Sequence, residues 1–223
     1  MKATFRNSPA LLAVWIAWWL GVSFAAPLAF AAKGEPDPAV ALSGAELVQA
    51  LQRGGLVIYF RHADTGTPSA EGSGVDLERC ETQRNLNDHG RNEARSIGAE
   101  FNRLRIPVGE ILTSEYCRCW QTAELAFGRY RRLGILTGVG RNPEAADKRA
   151  QAAAGLRGLL AMRPPAGTNT VLISHGYNLF DLEQFLLGTQ GEAAVYSPDG
   201  RGGYALVARL IPEQWAGLPG GSR

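Results

Sequence analysis

The stretch VIYFRHADTG, residues 57–66, opens with four consecutive apolar or aromatic residues and then breaks into Arg61 and His62. A run with no polar alternation reads as a strand covered on both faces, the way strands of parallel sheets are buried. A guanidinium and an imidazole are costly to bury without partners, so something at the end of this strand must compensate them. Two other runs share the pattern. EILTS (110–114) leads into EYCR and Arg118, and TVLIS (170–174) leads into His175 and Gly176.

Helical patterns lie between these strands. Ser43-x-x-Glu46 has the form of a capping box, and LVQALQR up to Gly54-Gly55 predicts a helix over 44–53. Between 88 and 104, Ala94, Ile97, Phe101 and Leu104 recur at three and four residues, the spacing of an amphipathic helix, with Pro107 beyond its end. Helices are also predicted over 117–127 (closed by Gly128), 144–162 (stopped by Pro164-Pro165) and 177–188. LGILTGV (133–139) predicts a further strand, and AAVYS and YALVARL flank a Pro198-Asp199-Gly200 turn. Residues 62–85, rich in Gly, Ser, Asp and Glu, read as a long loop. Strands alternating with helices predict an α/β fold, a three-layer α/β/α sandwich around a mainly parallel central sheet.

The first 31 residues follow another grammar. Lys2 and Arg6 precede an apolar run from about Ala10 to Phe30, and Ala29-Phe30-Ala31 has the small-x-small form of a cleavage site. This predicts a secretory signal peptide over 1–31, a linker over 32–42 and one domain over 43–223. The alternative is an uncleaved anchor, for which the run is nearly long enough. Cleavage takes away two basic residues and no acid, turning 23 basic and 21 acidic residues into 21 of each. A neutral mature chain gives no reason to expect nucleic acid as a partner, and a membrane only if the N-terminal segment stays. Export to the periplasm or medium makes a disulfide plausible for Cys80, Cys117 and Cys119. Cys117 and Cys119 are too close to pair easily with each other. A bond from Cys80 to one of them would staple the loop to the segment carrying Arg118, and three reduced core thiols are the alternative.

Ligands of an open parallel sheet bind beyond the carboxyl ends of its strands. If the three strands are neighbours, Arg61, His62, Arg118 and His175 meet at one spot. Two guanidiniums and two imidazoles suit a phosphoryl group, and a helix start at 115–118 would add positive potential. No His/Asp cluster at metal-ligand spacing and no Gly-rich nucleotide loop is present, so neither metal nor cofactor is expected.

Four motifs, in order, resemble the histidine phosphatase (phosphoglycerate-mutase-like) superfamily, here in an exported form. RHADTG is similar to its Arg-His-Gly signature, with Ala63 for the commoner Gly, and LNDHGRNEA (86–94) to its helix start. SEYCRCWQTAELAFG (114–128) is similar to its Ser-x-x-x-Arg-x-x-Gln-Thr-Ala segment, and VLISHGYNL (171–179) to its second-histidine block. The resemblance implies a metal-independent phosphatase in which His62 becomes phosphohistidine while Arg61, Arg118 and His175 hold the phosphoryl oxygens. With export, the expected substrate is a small phosphorylated molecule or a lipid or sugar phosphate of the cell envelope. The proton donor to the leaving group departs from the family pattern. Gly176 follows the second His where one branch has Asp, which leaves Asp64 as the favoured donor, Glu115 and Glu144 as others, or none. A phosphomutase and a phosphate-binding module without turnover are the rival expectations.

Simpler roles stand beside these. Either His alone reads as a satisfied polar residue at a strand end. His89 reads as a solvated helix residue, and Arg129, Arg131 and Arg132 as an exposed charged face. Gln83-Arg84-Asn85 suits substrate contact and loop structure equally.

Overall fold

The computed structural model describes residues 35–37, 40–66, 74–141 and 143–220. Its elements are α1 (Gly44–Arg53), β1 (Val57–Arg61), α2 (Asp88–Arg103), β2 (Val108–Thr113), α3 (Cys117–Phe127), β3 (Arg131–Arg132), α4 (Ala146–Ala161), β4 (Asn169–Ser174), α5 (Gly176–Glu183), β5 (Ala193–Pro198), β6 (Tyr204–Leu210) and α6 (Pro212–Ala216). The sheet order is β3-β2-β4-β1-β5-β6. β4 runs parallel to both β1 and β2, whereas β5 and β6 close one edge antiparallel. The three strands that end in functional groups therefore lie side by side.

Alternation along the strands feeds two cores. Ile58, Phe60, Ile111, Val171 and Ile173 face α1, α2, α3 and α6 through Leu51, Phe101, Ala123 and Trp215. Val57, Tyr59, Leu112 and Leu172 face α4 and α5 through Leu156, Leu160 and Leu179. Each such side chain, fully buried, contributes roughly 1.5–3 kcal/mol. Helices on both faces of the sheet make the expected three-layer α/β/α sandwich.

Three expectations need correction. Ser43 sits at the N-cap of α1, but its side chain caps nothing. LGILTGV is not a strand. The short parallel strand is Arg131–Arg132, and Gly134–Leu136 winds into a 3₁₀ turn. The buried Leu136 carbonyl accepts hydrogen bonds from Ser174 Oγ and Asn178 Nδ2, which pin this loop across the end of β4. The helix expected over 177–188 stops at Glu183, because Gln184 adopts a left-handed φ of 61° and the chain turns back. The expected signal peptide, and residues 32–34 and 38–39 of the linker, lie outside the described residues. Among the described residues no helix is long and apolar enough to cross a membrane.

Candidate active site

His62 follows β1 and is 2% exposed. Its backbone N–H donates to the Ser174 carbonyl of β4, and the Ala63 N–H donates to Thr122 Oγ1 on α3. Neighbouring elements thus fix the residue from both sides. The ring's Nδ1 lies 2.9 Å from the Ala63 carbonyl oxygen. A carbonyl only accepts, so the proton is on Nδ1 and the lone pair on Nε2. Burial pushes the His62 pKa well below the usual imidazole value, and the Arg118, Arg61 and Arg84 guanidiniums lower it further. At neutral pH the ring is uncharged.

His175 follows β4, at the N-cap of α5, with its ring centroid 5.6 Å from that of His62. Arg118 Nη2 donates to its Nδ1 at 3.4 Å, so Nε2 carries the proton and reaches Ser114 Oγ at 2.9 Å. Burial, then Arg118, hold its pKa well below the usual value as well. Arg118, 5% exposed, lies with its guanidinium 4.2 Å from the Tyr116 ring centre. Arg61 Nη1 donates to the Leu187 carbonyl at 3.0 Å, an acceptor supplied by the segment after the shortened α5. Gly176, at the start of α5, leaves little room for a side chain. A Cβ there would stand 3.0 Å from both Leu186 Cδ1 and the Leu187 carbonyl oxygen.

Arg61, His62, Arg118 and His175 line one cavity of about 540 Å³. Arg84, Tyr116, Arg141, Tyr177 and Leu186 line it too. The buried imidazoles form its floor. Tyr177 (56% exposed) and Leu186 (40%) stand at its mouth, two of only five exposed large hydrophobic residues among those described.

None of the three expected proton donors lines this cavity. Asp64 points the other way. Its carboxylate accepts from Asn87 Nδ2 (2.8 Å), Gln190 Nε2 (2.9 Å) and the Gly66 N–H (3.0 Å), and lies 3.5 Å from His89 Nδ1. Partial burial pushes the carboxyl up, but these hydrogen bonds and His89 outweigh it and hold its pKa below the usual range. It keeps its charge and gives up no proton. Glu115 accepts from Thr137 Oγ1 at 3.0 Å and, with Glu144, lines a separate cavity beyond the segment 138–140. Among the described residues no carboxylate lines the His62 cavity.

The expected helix start at α3 is already occupied. The Cys117 N–H donates to Gln83 Oε1 at 2.8 Å, and the Tyr116 N–H to Ser114 Oγ at 3.2 Å. Cys80 and Cys117 form a disulfide, and Cys119 is a buried thiol. The Gln83-Arg84-Asn85 trio divides. Gln83 caps α3, Asn85 Nδ2 ties back to the Cys80 carbonyl, and Arg84 enters the cavity. His89 is exposed, as are Arg131 and Arg132, while Arg129 braces β2 through the Val108 and Gly109 carbonyls. Sequence reasoning missed Tyr116, Arg141, Tyr177 and Leu186. Their only signal is proximity to the motifs.

No protein-family model matches the chain, and no curated protein sequence matches it. Solved structures do match in fold. The chain is similar to the protein histidine phosphatase SixA complexed with tungstate, at 21% identity, over 71% of this chain and 98% of that one, with a TM-score of 0.50. It is also similar to a candidate alpha-ribazole-5'-P phosphatase from Escherichia coli str. K-12, at 13% identity, over 70% and 97%, with a TM-score of 0.52. At these identities the likeness is one of fold, that of the phosphoglycerate-mutase-like proteins.

Proposed function

We propose that the protein is an exported, metal-independent phosphatase of the histidine phosphatase superfamily, cleaving a phosphomonoester through a phosphohistidine on His62. The observation that carries this reading is the buried, neutral His62 with its Nε2 lone pair, set among guanidiniums in one cavity. Nε2 attacks phosphorus and forms an N–P bond as the P–O bond to the leaving group breaks. Water then attacks the same phosphorus, and phosphate leaves with His62 restored. Arg61 and Arg118 hold the equatorial oxygens, where phosphoryl transfer is helped most by positioning and charge. His175, expected to join them, instead spends its Nε2–H on Ser114 and positions Arg118 through Nδ1. A cavity lined by cations suits an oxyanion better than a metal ion. One structure of the same fold is a tungstate complex, with a tetrahedral oxyanion like phosphate.

Leaving groups of low basicity, which need little protonation, suit the site best. The substrate is a small phosphorylated molecule or a lipid or sugar phosphate of the envelope, met in the periplasm or outside the cell. Tyr177 and Leu186 favour an apolar leaving group. The rival reading is a phosphate-binding module with no turnover.

Purified protein with p-nitrophenyl phosphate decides between them. The phosphatase releases p-nitrophenol in the presence of a chelator, forms an acid-labile, alkali-stable phosphoenzyme, and loses both with His62→Ala. Tungstate binding without release from a panel of phosphomonoesters overturns the phosphatase and supports the binding module.

A further inference from the structure

Arg84 comes from a loop, not from a strand end, yet it lines the same cavity as the two histidines. Its positive charge acts on both imidazoles and on Arg61. On His175 it weighs more than Arg61 does. Among the described residues of the loop holding it, the regular structure is one 3₁₀ turn, Cys80–Thr82. What fixes it is a set of ties to the start of α3. Cys80 is bonded to Cys117, Gln83 Oε1 accepts the Cys117 N–H, and Arg118 Nη1 reaches the Arg84 carbonyl at 3.4 Å. Within the loop, Asn85 Nδ2 donates to the Cys80 and Gln83 carbonyls. The residues on either side of Arg84 are therefore pinned to the helix that carries Arg118.

We propose that Arg84 is a third guanidinium of the phosphoryl site, and that the Cys80–Cys117 disulfide is the positioning element that delivers it. This rests on the reading of the cavity as a phosphoryl site. The Arg84 and Arg118 charges both bear unfavourably on the Arg61 guanidinium, partly offset by Glu192, and a dianion bound among them would relieve that strain. Three cations around one dianion also match a phosphoryl group whose charge spreads over three equatorial oxygens in transfer. A covalent tie across 37 residues holds Arg84's segment to the start of α3 in an oxidising compartment.

The test uses the full chain and two readouts, tungstate binding by calorimetry and p-nitrophenyl phosphate turnover. Arg84→Gln is expected to weaken tungstate binding on the order of tenfold, as for one lost charge-assisted hydrogen bond. It also moves the acid limb of kcat/KM to higher pH, because a positive charge no longer opposes protonation of His62. Arg84→Lys restores the limb. Dithiothreitol, checked by circular dichroism for a retained fold, is expected to weaken tungstate binding in the wild type and to add little in Arg84→Gln. Cys80→Ser gives the same result without a reductant. Equal tungstate affinity in Arg84→Gln and wild type overturns the assignment of Arg84. Equal losses on reduction in both backgrounds overturn the delivery role of the disulfide. Tungstate binding that follows this pattern without any turnover keeps the inference and discards the phosphatase.

Discussion

Arg61 and His62 enter a cationic cavity, while Asp64, two residues on, turns away to sit beside His89 and Glu93. The border between them is Ala63, fully buried, with its N–H on Thr122 and its carbonyl on His62 Nδ1. Beyond it the Asp64 N–H donates to Glu93 Oε2 at 2.8 Å, and the Asp64 carbonyl lies against Gly90. A strand end can thus sort neighbouring residues of opposite charge to opposite sides. The comparison teaches that sequence distance from a nucleophile says little about electrical distance. Backbone direction at one buried alanine keeps a carboxylate from neutralising the guanidiniums beside His62.

If the cationic side is the chemical one, its loss has the largest effect. Arg118→Gln should lower kcat roughly 10²–10³-fold, the loss seen when one preorganised donor to a developing anion is removed. Folding, followed by circular dichroism, should be little changed. A kcat within threefold of wild type would mean that Arg118 packs against Tyr116 and does no more.

The border itself can be broken next. A Cβ on Gly90 would come within 2.0 Å of the Asp64 carbonyl oxygen, backbone against backbone. Gly90→Ala should cost about 1–3 kcal/mol through overpacking, read as a Tm lower by several degrees. Because relief must push 63–64 back toward the cavity, kcat should fall as well. A lower Tm with unchanged kcat would show that the two sides are mechanically independent.

This border also marks where the sequence stops being readable. Continuous apolar strands at 56–60 and 170–174, and their polar ends, are legible because a sheet buried on both faces admits little else. Their side-by-side placement then brings Arg61, His62, Arg118 and His175 together. Asp64 is misleading because a residue after a strand has no periodicity to say which way it turns, and that direction is set by Asn87, Gln190 and Gly90 from distant segments. LGILTGV has strand-like residues, yet Leu136 is used as a plug over β4, a tertiary demand that overrides local propensity. Helix α5 is cut short for a similar reason, since the chain after Gln184 must turn its carbonyls to Arg61.

The two sides should also respond to pH with opposite sign. His62 and His175 have folded pKa values well below the unfolded value of 6.5. Their contribution to stability is present above 6.5 and is lost as pH falls toward the folded values. Activity should accordingly be flat through neutrality, with its acid limb well below pH 6.5. Glu93 behaves in reverse. Burial, opposed by its hydrogen bond to the Asp64 N–H, raises its pKa from 4.5 to about 7. Its contribution is present below 4.5 and is lost as pH rises through 7. Glu93→Gln keeps an acceptor for the Asp64 N–H and removes that loss. Its Tm at pH 8 should exceed wild type by on the order of 2–4 °C, the shift that about 1 kcal/mol gives a domain of this size. The difference should vanish near pH 4.5. A pH-independent difference would mean that Glu93 is not the group that titrates.

The smallest effect concerns floor and mouth of the same cavity. The floor is buried and carries fixed charge, whereas the mouth exposes Tyr177 and Leu186, with Arg141 stacked 4.8 Å from the Tyr177 ring centre and held by Asp181 at 3.0 Å. If the floor takes the phosphoryl group and the mouth takes the leaving group, Tyr177→Ser should leave tungstate affinity unchanged. It should lower kcat/KM by threefold to tenfold for aryl or long-chain alkyl phosphates, about what losing one to two methylenes of apolar contact costs. The defect should grow with the length of the alkyl chain and sit in KM, because the contact is made equally in ground and transition states. An equal loss for methyl and decyl phosphate would place the leaving group elsewhere, and Tyr177 would then serve only to brace Arg141.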